Sequence, residues 1–289
     1  MFSGSIVALV TPYIDGAIDW KALKGLVDWH IAQGTQGIVP CGTTGESPTF
    51  THEEQAKVIA EVVQHVAGRV PVIGGAGSNA TFEAVALAKA AERAGADGIL
   101  TVTPYYNKPT PEGLFQHYRA VRDSTRLPMV LYNVPGRTGI NMDVDTVVRV
   151  AALGGIDSVK EASGSVEKAH EIVARGVRVL SGEDALTWPL MAVGASGVIS
   201  VVANFAPKVM RALCDAAARG DLAEARRQHT IVHELAKVAF CETNPIPAKT
   251  AVAALGLCRE EFRLPIVPIS DAAREQLMAA LAKHGIVKG

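Results

Sequence analysis

The sequence predicts a (β/α)₈ barrel that is followed by a helical extension. Eight short apolar runs, rich in β-branched residues, recur roughly every 25–30 residues, and a segment with helical periodicity follows each run. The runs are apolar almost throughout, which is typical of strands that are covered on both faces. At 289 residues the chain accommodates a barrel of about 250 residues and a short extension. The predicted strands cover residues 5–12, 37–42, 71–77, 98–104, 128–135, 156–163, 177–183 and 196–204.

Capping signals indicate where three of the barrel helices begin. Asp19 precedes an apolar-periodic stretch, and Thr51 has Glu54 three residues later, as in a capping box. Asn79 is the expected cap of an alanine-rich segment. An open, doubly wound sheet is the competing architecture. The eight regular units, and the lack of a GxGxxG turn after the first strand, favour the closed barrel.

The pattern changes after the eighth predicted strand, because no convincing strand follows it. The eighth barrel helix comes first, and three further helices are predicted at residues 221–242, 245–256 and 271–285. We therefore predict two parts, a barrel at residues 1–220 and a helical extension at residues 221–289.

Composition and charge exclude several classes of protein. The formal net charge is −1, so neither nucleic acid nor an anionic membrane is expected as a partner. The N-terminus lacks the segments of a signal peptide, and no apolar stretch approaches about 18 residues, so no membrane span is expected. The four cysteines are scattered without CxxC or zinc spacing, which is typical of a reduced cytoplasmic protein.

The strongest chemical signal is Lys160 in the sixth predicted strand. Side chains alternate along a strand, so Lys160 shares a face with Ser158 and Ala162, and Glu161 points the other way. Lysine is rarely placed in a barrel core for packing. If Lys160 faces inward, desolvation lowers the pKa of its amine, and the neutral amine can attack a carbonyl to form an imine. The alternatives are an outward, snorkelling charge or a pair with an acid other than Glu161.

Two further strand ends carry hydroxyl groups. Thr43 and Thr44, flanked by glycines after the second strand, suit a carboxylate ligand, although an ordinary βα turn uses the same residues. Tyr132 lies on the fifth strand, next to the strand of Lys160. Its phenol is a candidate proton carrier, and core packing is the alternative.

Two loops at the same end of the barrel supply other candidates. Arg137 follows the fifth strand and is interpreted either as a fork for a carboxylate or as a solvated surface charge. Tyr105 and Tyr106 follow the fourth strand. They suit a role at the site, a subunit contact, or both.

These segments resemble the dihydrodipicolinate synthase family, within the N-acetylneuraminate lyase superfamily of pyruvate-dependent class I aldolases. The likeness runs from residue 4 to residue 265. The matching segments are GTTGES at 42–47, TVTPYYNKP at 101–109, LYNVPGRTG at 131–139, VKEASG at 159–164, LSGED at 180–184, GVISVVAN at 197–204 and NPIPAK at 244–249.

The resemblance implies roles for four catalytic residues. Lys160 forms a Schiff base with pyruvate, and Tyr132 donates and accepts protons. Thr43 and Tyr106 continue a proton relay, in which Tyr106 reaches in from the neighbouring subunit.

The resemblance also implies the substrate contacts. Thr44 binds the pyruvate carboxylate, and the main-chain carbonyl of Ile199 lines the pyruvate site close to Gly182. Arg137 holds the carboxylate of L-aspartate 4-semialdehyde, the second substrate. The family implies a homotetramer built as a dimer of dimers, no metal or organic cofactor, and a product, 4-hydroxy-tetrahydrodipicolinate, that enters lysine and diaminopimelate biosynthesis.

In relatives that lysine inhibits, the effector binds at a dimer interface away from the imine. The residues that match this site are Ser47, His52, Asn79, Glu83 and Tyr105. In the alternative interpretation Asn79 is only a helix cap and Glu83 a solvated residue. Pro48 and Gln55 depart from the Ala and His of inhibited members, which weakens the expectation of feedback control.

Two competing functions remain open at the level of sequence. A sister aldolase, such as N-acetylneuraminate lyase or a keto-deoxy sugar acid aldolase, uses the same Lys160 and Tyr132, but Arg137 together with Tyr106 favours the synthase. A barrel without catalysis, retained as a sensor or assembly partner, has no need of a buried amine.

Overall fold

The computed structural model describes residues 1–287 and has eight parallel strands with helices between them. The strands β1 to β8 are Gly4–Ala8, Gly37–Val39, Ile73–Gly75, Gly98–Val102, Met129–Asn133, Ile156–Glu161, Val179–Ser181 and Gly197–Ser200. The barrel helices α1 to α9 are Trp20–Ala32, His52–Val66, Thr81–Arg93, Pro111–Asp123, Pro135–Thr138, Val144–Ala151, Val166–Ala174, Thr187–Ala192 and Pro207–Ala218. The strands are shorter than the apolar runs that predicted them, because each run continues into the loop at the carboxyl end of its strand.

The sheet closes between β2 and β3, which confirms the barrel and excludes the open sheet. The strand order is β2-β1-β8-β7-β6-β5-β4-β3. Ile38 of β2 forms a parallel bridge with Val72, and its amide donates to the carbonyl of Pro71 at 3.0 Å. The amide of Gly75 donates in turn to Pro40 at 3.0 Å. No pairing edge is left at this seam, as a closed barrel requires.

The apolar residues form two clusters, one inside the barrel and one between the sheet and the helices. Inward-facing residues alternate with outward-facing ones, so most of the strands contribute to both clusters. The inner cluster comprises Phe2, Ile6, Ala8, Val39, Ile73, Leu100, Val130, Tyr132, Val134, Leu180 and Ile199.

Two of the three predicted helix caps are confirmed and one is wrong. The Asp19 carboxylate accepts from the amide of Ala22, and Thr51 with Glu54 forms the capping box. The cap of α3 is Ala80, not Asn79, and no side chain caps this helix. The hydroxyl of Ser78, two residues before Ala80, accepts from the Ala80 amide at 3.2 Å, so this turn is stabilised by Ser78 instead.

As far as residue 287, the C-terminal helices follow α9 without another strand, as predicted. They are α10, Leu222–Ala239, α11, Ile246–Ala254, and α12, Asp271–Lys283. The division of the chain at residue 220 stays a prediction. Among residues 1–287, no helix has both the length and the apolar character needed to cross a membrane.

A buried ion pair joins α11 to the loop after β2. The ammonium of Lys249 donates to the Glu46 carboxylate at 2.5 Å and to the carbonyl of Glu261 at 2.8 Å, and it lies 4.0 Å from the centre of the Tyr13 ring. Both charged side chains are almost completely buried. Glu46 has a left-handed backbone with φ of 61°, which is unfavourable for a residue with a side chain. Surrounding contacts must stabilise such a conformation, and the buried ion pair is one of them.

We expect Glu46→Gln to lower the free energy of unfolding by about 3–5 kcal/mol, because it leaves the Lys249 ammonium buried without its counter-ion. Urea denaturation measures this effect. The matched control is Glu112→Gln, which breaks an exposed pair with Arg149 and should change stability much less. Equal losses in the two variants would contradict the assignment of Glu46–Lys249 as a structural anchor.

Candidate active site

Lys160 faces the interior of the barrel. Its two register neighbours, Tyr132 on β5 and Leu180 on β7, both belong to the inner cluster. The side chain is 5% exposed, and its ammonium lies 4.1 Å from the centre of the Tyr132 ring. The outward, snorkelling alternative is therefore excluded.

Burial lowers the pKa of the Lys160 ammonium well below its ordinary value. Its pKa is lowered to about 8: desolvation is the largest cause, the guanidinium of Arg137 acts in the same direction, and the nearby carboxylate of Asp184 opposes both. A neutral amine is a nucleophile and an ammonium is not, so the site prepares Lys160 to attack a carbonyl group.

Asp184 is a buried residue that the sequence interpretation did not single out. It is 1% exposed and lies in a short 3₁₀ helix, Asp184–Leu186, after β7. Its carboxylate accepts hydrogen bonds from the hydroxyl of Ser200 and from the amides of Val201 at 3.0 Å and Val202 at 3.3 Å. The sequence could have indicated Asp184, because this acid directly follows the seventh predicted strand, at the end of the barrel where active sites are built.

Tyr132 is a neutral phenol at ordinary pH. Burial raises its pKa to about 12, although the Arg137 guanidinium and the nearby Thr43 hydroxyl both favour the ionised form. The group can therefore give up a proton to a stronger base and take it back, and Thr43 is its partner on the side of the second strand.

Thr44 and Arg137 are both connected to the segment before α11. The amide of Asn244 donates to the Thr44 hydroxyl at 3.0 Å, and the Arg137 guanidinium donates to the main-chain carbonyl of Asn244 at 3.1 Å. Arg137 belongs to α5, which directly follows β5, so it is placed at the rim next to Tyr132. The predicted hydroxyl and guanidinium groups thus reach one site from the loops after β2 and β5.

These groups line one cavity of about 830 Å³ at the carboxyl ends of the strands. It also contains Gly182, where a Cβ atom would lie 2.7 Å from that of Ala162, so only glycine fits. The cavity is lined by Thr43, Thr44, Tyr132, Val134, Gly136, Arg137, Lys160, Ala162, Gly182, Glu183, Asp184, Ala185, Val201, Ala236, Lys237, Phe240, Cys241, Glu242, Thr243 and Asn244. The helical extension therefore supplies one of its walls.

Two of the predicted site residues do not line this cavity. The side chain of Ile199 is fully buried in the inner cluster. Tyr106 is 90% exposed, with φ of 73°. Tyr106 does not line the cavity of Lys160 in its own chain, and its predicted role in a neighbouring subunit's site stays a prediction.

The residues that resemble an effector site are partly grouped. The ring of His52 lies 3.9 Å from the carboxylate of Glu83, and the Glu83 carboxylate accepts from the hydroxyl of Ser78 at 2.5 Å. The main-chain carbonyl of Asn79 accepts from the Asn107 amide, which ties it to the loop that carries Tyr105. Ser47 begins a short 3₁₀ helix, Ser47–Thr49, just before α2.

Gln55 does not belong to this surface group. Its side chain is buried, and its amide donates to the carbonyl of Gly75 at 2.8 Å. The Gln55 side chain therefore connects α2 to β3 and is not exposed to a ligand at the surface.

A closed barrel with a desolvated lysine and a neighbouring phenol in one cavity is typical of lysine-dependent aldolases. A model of the dihydrodipicolinate synthetase family matches residues 1–284. The chain belongs to this family.

Known relatives extend over the whole chain. The 4-hydroxy-tetrahydrodipicolinate synthase of Pelobacter propionicus is 52% identical over 290 residues, covering 99% of this chain and 100% of the relative. The dihydrodipicolinate synthase of Aquifex aeolicus superposes with a TM-score of 0.98 at 47% identity, covering 100% of both chains. The chloride-inhibited dihydrodipicolinate synthase of Acinetobacter baumannii, in complex with pyruvate, gives a TM-score of 0.97 at 47% identity, covering 99% of this chain and 100% of that one.

We expect the rate at which Lys160 reacts with an amine reagent such as trinitrobenzenesulfonate to rise with pH through a midpoint near 8. Below this pH the ammonium dominates, and about one-tenth of the amine is neutral at pH 7. The mass of the peptide that contains Lys160 reports the reaction.

Asp184→Asn removes the anion that stabilises the Lys160 ammonium, so the midpoint of the reaction of Lys160 should move to lower pH. Glu112→Gln, at a distant exposed position, is the matched control and should leave the midpoint unchanged. A midpoint that stays near 10 in the unmodified protein would contradict the desolvation of Lys160.

Proposed function

We propose that this chain condenses pyruvate with L-aspartate 4-semialdehyde to form 4-hydroxy-tetrahydrodipicolinate and water. The observation that carries the proposal is Lys160, a buried amine with a pKa of about 8 that lies against Tyr132 in a cavity with two groups suited to carboxylates. The names of the relatives support the same substrates, and one of those relatives has been crystallised with pyruvate.

The first half of the reaction uses the amine and the phenol. The neutral Lys160 attacks the ketone carbon of pyruvate, the carbonyl oxygen leaves as water, and a protonated imine results. This cation withdraws electrons from the methyl carbon, which loses a proton to give an enamine. Tyr132, with the Thr43 hydroxyl nearby, carries the protons in these steps.

The second half forms one carbon–carbon bond and releases the lysine. The enamine carbon attacks the aldehyde, whose oxygen becomes the hydroxyl of the product. The amino group of the second substrate then attacks the imine carbon, displaces Lys160 and closes the ring. Electrons balance without an external oxidant or reductant, and the steps require no metal.

Four residues contact the substrates in this proposal. Thr44 donates to the pyruvate carboxylate, and Gly182 with the carbonyl of Ile199 borders the bound pyruvate. Arg137 binds the carboxylate of the semialdehyde, for which its planar fork is suited. What supports this is the position of Thr44 and Arg137 in the same cavity as Lys160.

The assembly and location belong to the same proposal. We propose a cytoplasmic homotetramer, a dimer of dimers in which Tyr106 enters the site of the neighbouring subunit. Its exposure and left-handed backbone, which present the ring away from its own chain, support this role.

We further propose that L-lysine binds at the surface formed by Ser47, His52, Asn79, Glu83 and Tyr105. The carboxylate of Glu83 supports this assignment, because it is partly exposed beside His52 and suits a ligand ammonium.

Incubation with pyruvate and borohydride should reduce the imine and leave an adduct on the peptide that contains Lys160. A coupled assay with both substrates should show product formation, and Lys160→Ala should lose the adduct and nearly all activity while it keeps its fold. Lys249 is the matched control, since it is equally buried but paired with Glu46, and its peptide should carry no adduct. An adduct elsewhere, or none, would rule out the proposed mechanism.

Arg137→Ala should raise the KM for L-aspartate 4-semialdehyde about tenfold or more and change the KM for pyruvate much less, because a charge-assisted pair is lost only from the second substrate. Arg137→Lys keeps the charge without the planar fork and should recover only part of the affinity. Steady-state kinetics with each substrate varied in turn gives both constants. A change confined to pyruvate would favour a sister aldolase with another second substrate.

A further inference from the structure

Asn244 contacts both groups to which the proposed function assigns a substrate carboxylate. It lies between α10 and α11, is 5% exposed and lines the cavity. Its side-chain amide donates to Thr44, and its main-chain carbonyl accepts from Arg137. A single residue of the C-terminal segment therefore connects the two carboxylate-binding groups across the mouth of the barrel.

The contact with Thr44 determines what that hydroxyl can offer a ligand. A threonine hydroxyl has one proton to donate and two positions at which it accepts. The Asn244 amide occupies one accepting position, at 3.0 Å. Within residues 1–287 the Thr44 hydroxyl donates to no protein group, so its proton remains for a ligand in the cavity.

The oxygen of the Asn244 side-chain amide also indicates that this amide acts through its donor. The Oδ1 atom of Asn244 is buried, and within residues 1–287 it has no hydrogen-bond partner. Buried polar atoms without a partner are uncommon and lower stability. A small apolar side chain would avoid this loss, but it would also lose the donor to the Thr44 hydroxyl.

We infer that Asn244 is a positioning residue for pyruvate, which donates to the Thr44 hydroxyl and so directs the hydroxyl proton toward the substrate carboxylate. The inference rests on the proposed function and adds a residue of the helical extension to its binding site. Asn244 need not touch the substrate, because it acts through Thr44. Its main-chain contact with Arg137 does not depend on the side chain.

Two variants separate this role from packing. Asn244→Ala removes the donor and should raise the KM for pyruvate about tenfold, the usual scale for a lost hydrogen bond to a charged group. Asn244→Asp has the same shape, but it accepts the Thr44 proton and brings a negative charge toward the carboxylate. Its KM for pyruvate should rise on the order of 100-fold. If Asn244 only fills space, Asn244→Ala should raise the KM for pyruvate more than Asn244→Asp does, because aspartate fills the space that alanine leaves empty.

The semialdehyde is the internal control for the alanine variant. Its KM should stay within about twofold, since the main-chain carbonyl that holds Arg137 is still present. A second control combines Asn244→Ala with Thr44→Val, which has no hydroxyl to orient. In that background Asn244→Ala should have no further effect on pyruvate. This double-mutant cycle tests whether Asn244 acts through the Thr44 hydroxyl, even if the Asn244→Asp variant does not fold.

Failure of the inference and failure of the proposed function give different results. If the unmodified protein forms no borohydride-trapped adduct on Lys160 and no product, the proposed function fails. If the unmodified protein is active but aspartate is no worse than alanine at position 244, the inference alone is overturned. The inference also fails if the Asn244→Ala effect persists unchanged in the Thr44→Val background.

Discussion

The desolvation of Lys160 is the constraint on which the rest of the site depends. An ammonium in an apolar barrel is unstable unless charge or hydrogen bonding compensates it, and here the compensation is incomplete. Tyr132 offers only the face of its ring, and Asp184 stabilises the cation without forming a direct ion pair. The amine is therefore held close to the point at which it loses its proton, which is the condition for attack on a carbonyl group.

Asp184 shows how a buried charge can serve two purposes. Its three hydrogen bonds hold the chain that leaves β8, at Ser200, Val201 and Val202. Burial raises the pKa of this carboxyl group, and the hydrogen bonds and Lys160 oppose that change. The same carboxylate thus shapes the wall of the cavity and limits how far the pKa of Lys160 falls.

The C-terminal helices belong to the site as much as the barrel does. The Lys249–Glu46 pair holds the loop after β2, and Asn244 contacts Thr44 in the same loop. A second connection runs from Arg263 to Glu54 through a forked ion pair at 2.7 and 2.9 Å. The loop that carries Thr43 and Thr44 is therefore held from outside the barrel, which provides the rigidity that precise placement of catalytic groups requires.

Whereas the tertiary structure decided that Lys160 faces inward, the sequence by itself determined the fold class, the strand positions of Lys160 and Tyr132, and the capping box at Thr51. These features depend on residues close together in the chain, because periodicity and capping are local. Only the tertiary structure revealed Asp184 beside Lys160, and the contact of Asn244 with Thr44, 200 positions away. It also decided that Ser78 rather than Asn79 stabilises the turn before α3. Such contacts depend on how the barrel closes and how the last helices pack on it, and no local pattern records that geometry.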